Sequence, residues 1–212
     1  MKNPTRVVAE YLANKMNHYT QKDGLELQKM TLGLEVVLIN VSKMIIIYVL
    51  AALLGTLWQT FVIHLAFTMI KRYSFGLHAL SSTVCTIVSC TIFVFVPFVM
   101  SSINTWLRAD IVLNIGNHIV AIAFAVIILI LYMYAPADTK ARPIIGEKNR
   151  AWLKKKAIKY GIILAIITLL IPDGSEKLLL VFGAGVQSVC LLPITYKILK
   201  RSKQNYEAYE CA

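Results

Sequence analysis

A histidine and a cysteine stand seven positions apart in the run Lys71-Arg72-Tyr73-Ser74-Phe75-Gly76-Leu77-His78-Ala79-Leu80-Ser81-Ser82-Thr83-Val84-Cys85. An imidazole that takes a thiol proton leaves a thiolate nucleophile beside an imidazolium that stabilises it, which is the chemistry of a cysteine peptidase. The spacing alone carries little weight, because a membrane cysteine is more often a small buried hydrophobe. Geometry adds a constraint. On a straight helix these two residues share a face but lie roughly 10 Å apart along the axis, too far for their side chains to hydrogen-bond. Either the backbone near His78 leaves the helix, with Gly76 the residue most able to permit it, or the pairing crosses two subunits. Ser81, Ser82 and Thr83 could orient His78, supply oxyanion donors, or merely satisfy the carbonyls of their own helix.

The elements that must position these groups are membrane helices. Of 212 residues 58% are hydrophobic and 16% charged, against roughly a quarter charged in an average soluble domain. The apolar residues gather into long uncharged stretches, the mark of bilayer-spanning helices. An all-α, polytopic membrane protein with about six hydrophobic segments is expected, built as a single membrane domain over 1–212. Residues 1–29 mix charge with apolar Val7, Val8, Tyr11, Leu12 and Met16 at helical spacing, which predicts an amphipathic helix in the membrane interface. The stretch 32–70 is long enough for a hairpin of two short spans with Gly55 near its turn. Further segments run over 79–100, with Pro97 weakening the far end, over 111–135, and over 160–171 and 178–196, separated by the turn-forming run Pro172-Asp173-Gly174-Ser175.

Charge supplies the topology. Lys plus Arg number six in 1–43, two in 71–78, eight in 136–159 and four in the tail 197–212, but one each in 101–110 and 172–177. The first four regions are expected in the cytoplasm. The formal net charge of +11 is therefore read as topology rather than as a nucleic-acid surface, and no nucleic-acid partner is expected. Four scattered cysteines, Cys85, Cys90, Cys190 and Cys211, make no disulfide scaffold. The N-terminal segment lacks the apolar core and cleavage site of a signal peptide and is expected to stay in the mature chain.

The run Arg72…Gly76-Leu77-His78 followed by Cys85, with the later Ala135-Pro136-Ala137-Asp138-Thr139-Lys140-Ala141-Arg142-Pro143-Ile144, resembles the accessory gene regulator protein B (AgrB) family of bacterial quorum-sensing systems. The resemblance covers most of the chain, and the two motifs together are specific. Phe75 stands where many members have the first of two glycines. What the resemblance implies is a membrane-embedded cysteine endopeptidase of the bacterial cell membrane. It would trim the C-terminal tail of a short AgrD-like precursor and release a cyclic thiolactone or lactone signal for quorum sensing and virulence regulation. By that resemblance Cys85 is the nucleophile, His78 its base, and Arg72 and Gly76 are motif residues without assigned roles. A homodimer in the lipid bilayer and no cofactor are expected.

No acidic third member is evident beside the motif; Asp138 is a candidate by topology, its loop lying on the same side. Lys154, Lys155 and Lys156 belong to the basic block 136–159, expected as a cytoplasmic loop; such a block is most often a topology determinant touching anionic lipid, and could also meet the acidic tails of the family's precursors. His64 and His118 read as packing residues and His18 as interfacial. No HExxH or paired-cysteine spacing supports a zinc site from His64, His78, Cys85 or Cys90. The alternative class is a small membrane transporter or peptide exporter with His64, Arg108 and Asp110 as pathway groups, although neither broken spans nor a repeat is evident.

Overall fold

Pro4 opens the first helix, α1 (Pro4–Thr20), where its missing N–H costs nothing. The computed structural model describes residues 4–76, 82–107, 116–137, 144, 146–172 and 174–198, and the regular elements among them are all helical. They form two compact units, residues 1–50 and 51–212. On α1, Ala9 and Ala13 are buried while Val7, Val8, Tyr11 and Met16 are exposed, an apolar surface suited to the membrane interface. The helix stops short of residue 29. Asn17 folds its side chain back, donating to the Lys22 carbonyl at 2.9 Å and accepting from the Lys22 N–H at 2.7 Å. Gln21 turns to φ 46°, and residues 24–29 join α2 (Gly24–Leu53).

The 32–70 stretch does fold as two helices. Gly55 holds φ 69° at the turn, a conformation open to glycine, and α3 (Leu57–Ser74) follows. The next segment is a continuous helical run of α4 (Ser82–Cys90), a π-helical turn (Thr91–Phe95) and α5 (Val96–Leu107). Pro97 was expected to weaken this run, yet the helix passes through it. The ring nitrogen of Pro97 cannot donate to the Phe93 carbonyl four residues back; instead Thr60 Oγ1, fully buried on α3, donates to that oxygen at 2.7 Å. The rings of His64 and Phe67 close on Phe93 with centroids 5.1 Å away.

The remaining helices are α6 (Asn117–Tyr134), α7 (Glu147–Leu170), α8 (Ser175–Val189) and the short α9 (Pro193–Ile198). Residues 147–159, expected as part of a basic loop, are the first turns of α7. No proline or glycine interrupts 147–160, and its Lys, Leu and Ala are good helix formers. Helix α8 packs on α3, and α6 on both α7 and α8. Glycines set two close approaches between helices. A Cβ at Gly183 would stand 2.5 Å from the Ile63 carbonyl oxygen, and one at Gly161 would stand 2.9 Å from Leu131 Cδ1. Small residues that let backbones approach are how helices associate where lipid removes the hydrophobic drive.

Among the described residues three helices are long and apolar enough to cross a bilayer, over Gly24–Leu53, Thr83–Ser102 and Asn117–Tyr134. The chain is an all-α membrane protein. At one end of the second unit the last turns of α3, α6 and α8 meet the beginning of α7. At the other, Lys177 Nζ donates to Asn117 Oδ1 at 2.6 Å.

Candidate functional site

The motif run begins where α3 ends. Phe75 leaves the helix at φ 57°, ψ −125° while its N–H still bonds the Lys71 carbonyl at 3.0 Å. Gly76 follows at φ 104°. A positive φ on a bulky residue is an outlier, and such strain costs on the order of 1–3 kcal/mol. This is the conformation that makes glycine the natural occupant of position 75. The chain thus leaves its helix two residues before His78, and Gly76 takes part in the turn. Cys85 lies in the first turns of α4 and is half-buried. His78, Ser81 and Asp138 lie outside the described residues.

The second motif meets the first through the backbone. The Gly76 N–H donates to the Ala137 carbonyl at 3.1 Å, and the Ala137 N–H donates to the Ser74 carbonyl at 3.0 Å, an isolated parallel bridge between Phe75 and Ala137. The Ala135–Pro136 bond is cis. Residues 62 positions apart in sequence thus share one short stretch of pairing, at which the free backbone groups of the α3 end find partners.

Helix α8 closes this arrangement from the other side. Gln187 is buried completely; its Nε2 donates to Ser74 Oγ at 2.8 Å and to the Phe75 carbonyl at 2.6 Å. Its Oε1 has no hydrogen-bond partner among the described residues. Each of the two bonds contributes about 1 kcal/mol net, and stranding a buried polar group costs about 1–3 kcal/mol. Gly76 itself lies so close to α8 that a Cβ there would stand 3.2 Å from the Cys190 carbonyl oxygen and from Leu191 Cδ2. Sequence reasoning passed over Gln187. Its signal was a lone amide within the apolar segment 178–196, since polar groups inside membrane helices are seldom idle.

Around this turn lies a belt of rings and cations. Tyr73 stacks on Tyr160 with centroids 4.8 Å apart and meets Trp152 edge-on at 6.0 Å. The exposed Arg72 guanidinium stands 5.7 Å from the Tyr73 ring centre, and Lys156 Nζ 5.5 Å from that of Trp152. Lys154 Nζ sits 4.5 Å over Tyr132 of α6. Lys155, between them, is exposed. The expected trio is thus divided: two lysines rest on aromatic faces, an attraction worth about 0.5–1 kcal/mol at exposed sites, and one projects outward.

Comparison with known proteins agrees with the two motifs. The model of the family described as Accessory gene regulator B matches residues 6–195. A putative AgrB-like protein of Listeria innocua serovar 6a is 43% identical over 203 residues, covering 96% of this chain and 94% of the relative. One from Clostridium acetobutylicum is 36% identical, covering 96% and 92%. The accessory gene regulator protein B of Staphylococcus intermedius is 33% identical over 185 residues, covering 87% of this chain and 92% of its own length. No solved structure matches the chain.

Proposed function

Since the chain belongs to the accessory gene regulator B family, we propose that it is a membrane-embedded cysteine endopeptidase. It removes the C-terminal tail of a short AgrD-like precursor and allows the remainder to cyclise into a quorum-sensing signal. Membership carries the coarser statement, a role in the accessory gene regulator quorum-sensing system. The finer one rests on the chemistry of the motif residues.

Cys85 gives its proton to His78, and the thiolate attacks the scissile carbonyl. His78 protonates the leaving amine as the C–N bond breaks, and the peptide stays on Cys85 as a thioester. An internal cysteine of the peptide then attacks that thioester, closing a thiolactone and returning the thiol to Cys85; a serine there would close a lactone. A thioester exchanged for a thioester is nearly balanced in energy, so no nucleotide is needed.

The observation that carries this reading is the pairing of Ser74–Gly76 with Ala137. It supports a purpose-built turn immediately before His78, and it brings the strand of chain that continues into Asp138 to the same turn. Asp138 remains our candidate for a third member that orients His78. The meeting of the basic ends of α3 and α7 with the last turns of α6 and α8 supports a common cytoplasmic face for the site; a homodimer embedded in lipid belongs to the same proposal. No described feature favours a transporter: His64 packs on Phe93, and Arg108 and Asp110 lie outside the described residues.

The test is release of a C-terminal label from a precursor with a central cysteine and an acidic tail, using the full chain in vesicles. Cys85→Ala and His78→Ala should each abolish release while Cys90→Ala and Cys190→Ala retain it. Release by Cys85→Ala would end the peptidase reading.

A further inference from the structure

Gln187 lies 113 residues from Ser74 in sequence, yet its amide reaches the turn through which the chain leaves α3. Packing alone does not explain an amide here. The site is completely buried, and one of its two polar atoms goes without a partner among the described residues, so leucine or methionine would fill the space without an unpaired oxygen of its own. What an apolar residue lacks is the pair of N–H bonds, and both fall on the turn: one on Ser74 Oγ and one on the carbonyl of Phe75. Phe75 is the residue forced to φ 57° where glycine would sit without strain.

The geometry points to Gln187 as a positioning residue for the reaction: its amide fixes the Ser74–Gly76 turn from which the chain runs on to His78. The inference rests on the peptidase reading and adds to it a residue of α8 that touches neither substrate nor thiol. His78 follows Gly76 by two residues, so any relaxation at Phe75 redirects the chain that carries the base. Displacements of about 1 Å in a reacting group can cost on the order of a hundredfold in rate.

Gln187→Met keeps the length and volume of the side chain and deletes both bonds. In the vesicle assay it should lower kcat by about tenfold or more while KM for the labelled precursor moves by less than about twofold, the pattern of a lost transition-state arrangement. Adding Phe75→Gly should restore part of that rate, because glycine adopts the turn without being held. Ser74→Ala removes one acceptor, leaves Gln187 in place, and should lower kcat by a smaller factor. A Gln187→Met chain with wild-type kcat, or a loss that Phe75→Gly leaves untouched, overturns the inference. Should Gln187→Met not insert, an unchanged kcat in Ser74→Ala overturns it instead. Cys85→Ala in the same vesicles separates the two claims: if it cleaves, the peptidase reading falls, and if it does not, the Gln187 variants judge the positioning role alone.

Discussion

Helices α6 and α8 lie against each other and treat their apolar residues in opposite ways. Helix α6 carries eighteen residues without a formal charge, and buries a single stripe of Val120, Phe124, Ile127 and Leu131. Its other apolar side chains face outward, Ile122 at 66% and Leu129 at 56% exposure. Helix α8 is shorter and more polar, yet Lys177, Gln187 and Ser188 are among its buried residues, beside Gly183 and Ala184. In water the more apolar helix would be the inner one. In lipid hiding leucine brings no hydrophobic gain, so α8 can bury small residues and partnered polar groups beside Leu179 and Leu180 while α6 leaves most of its apolar residues outside.

That contrast can be broken most forcefully at Gly183. Gly183→Leu should prevent folding of the second unit, because even a Cβ collides with the Ile63 backbone. Gly183→Ala should destabilise by about 1–3 kcal/mol, the usual cost of overpacking, whereas Ile122→Leu on the outward face of α6 should leave the melting temperature in detergent unchanged. Equal effects from the two helices would contradict the comparison. The same rule reaches α3. Thr60→Val strands the Phe93 carbonyl beside Pro97 and should cost about 1–3 kcal/mol, read as a lower melting temperature at unchanged helical content.

A smaller effect, of opposite sign, is expected where α8 braces the motif. Phe75→Gly removes the strain of a positive φ and should stabilise by about 1 kcal/mol, the strain relieved less the entropy that glycine adds to the unfolded chain. A destabilised variant would mean that the Phe75 ring contributes more than its backbone costs. The smallest expected effect lies on the outward side of α6, where Tyr132 carries Lys154. Replacing Lys154, Lys155 and Lys156 together by glutamine should raise KM for an acidic-tailed precursor a few-fold and flatten its salt dependence, with kcat nearly unchanged, since such charges mainly steer encounter. A triple variant that inserts normally and keeps its KM at low salt would remove electrostatic capture from the account.

Much of this was legible in the sequence because membrane helices declare themselves by long apolar runs. The turns at Gly55 and Gly76 and the order of the segments follow from such runs and from glycine's freedom. The basic block 147–159 misled because charge density was read as loop, although lysine is a good helix former and nothing interrupts those turns. Pro97 misled for a different reason. A proline removes a donor locally, and its replacement, Thr60, lies 33 residues away from Phe93. The pairing of Phe75 with Ala137 and the brace from Gln187 are likewise contacts between distant segments, which no local pattern announces. The chemistry proposed for His78 and Cys85 rests on residue types and a family motif, while no local signature marks Gln187 and Ala137 as the residues that hold the Ser74–Gly76 turn.

The central claim is that Cys85 carries the peptide. Intact-mass measurement of the chain, quenched in acid during turnover with a central-cysteine, acidic-tailed precursor, tests it directly. The account predicts an adduct equal to the precursor without its tail, bound to Cys85, discharged by hydroxylamine, and absent from Cys85→Ala but present in Cys190→Ala. An adduct on another residue, or tail release by Cys85→Ala, would contradict it.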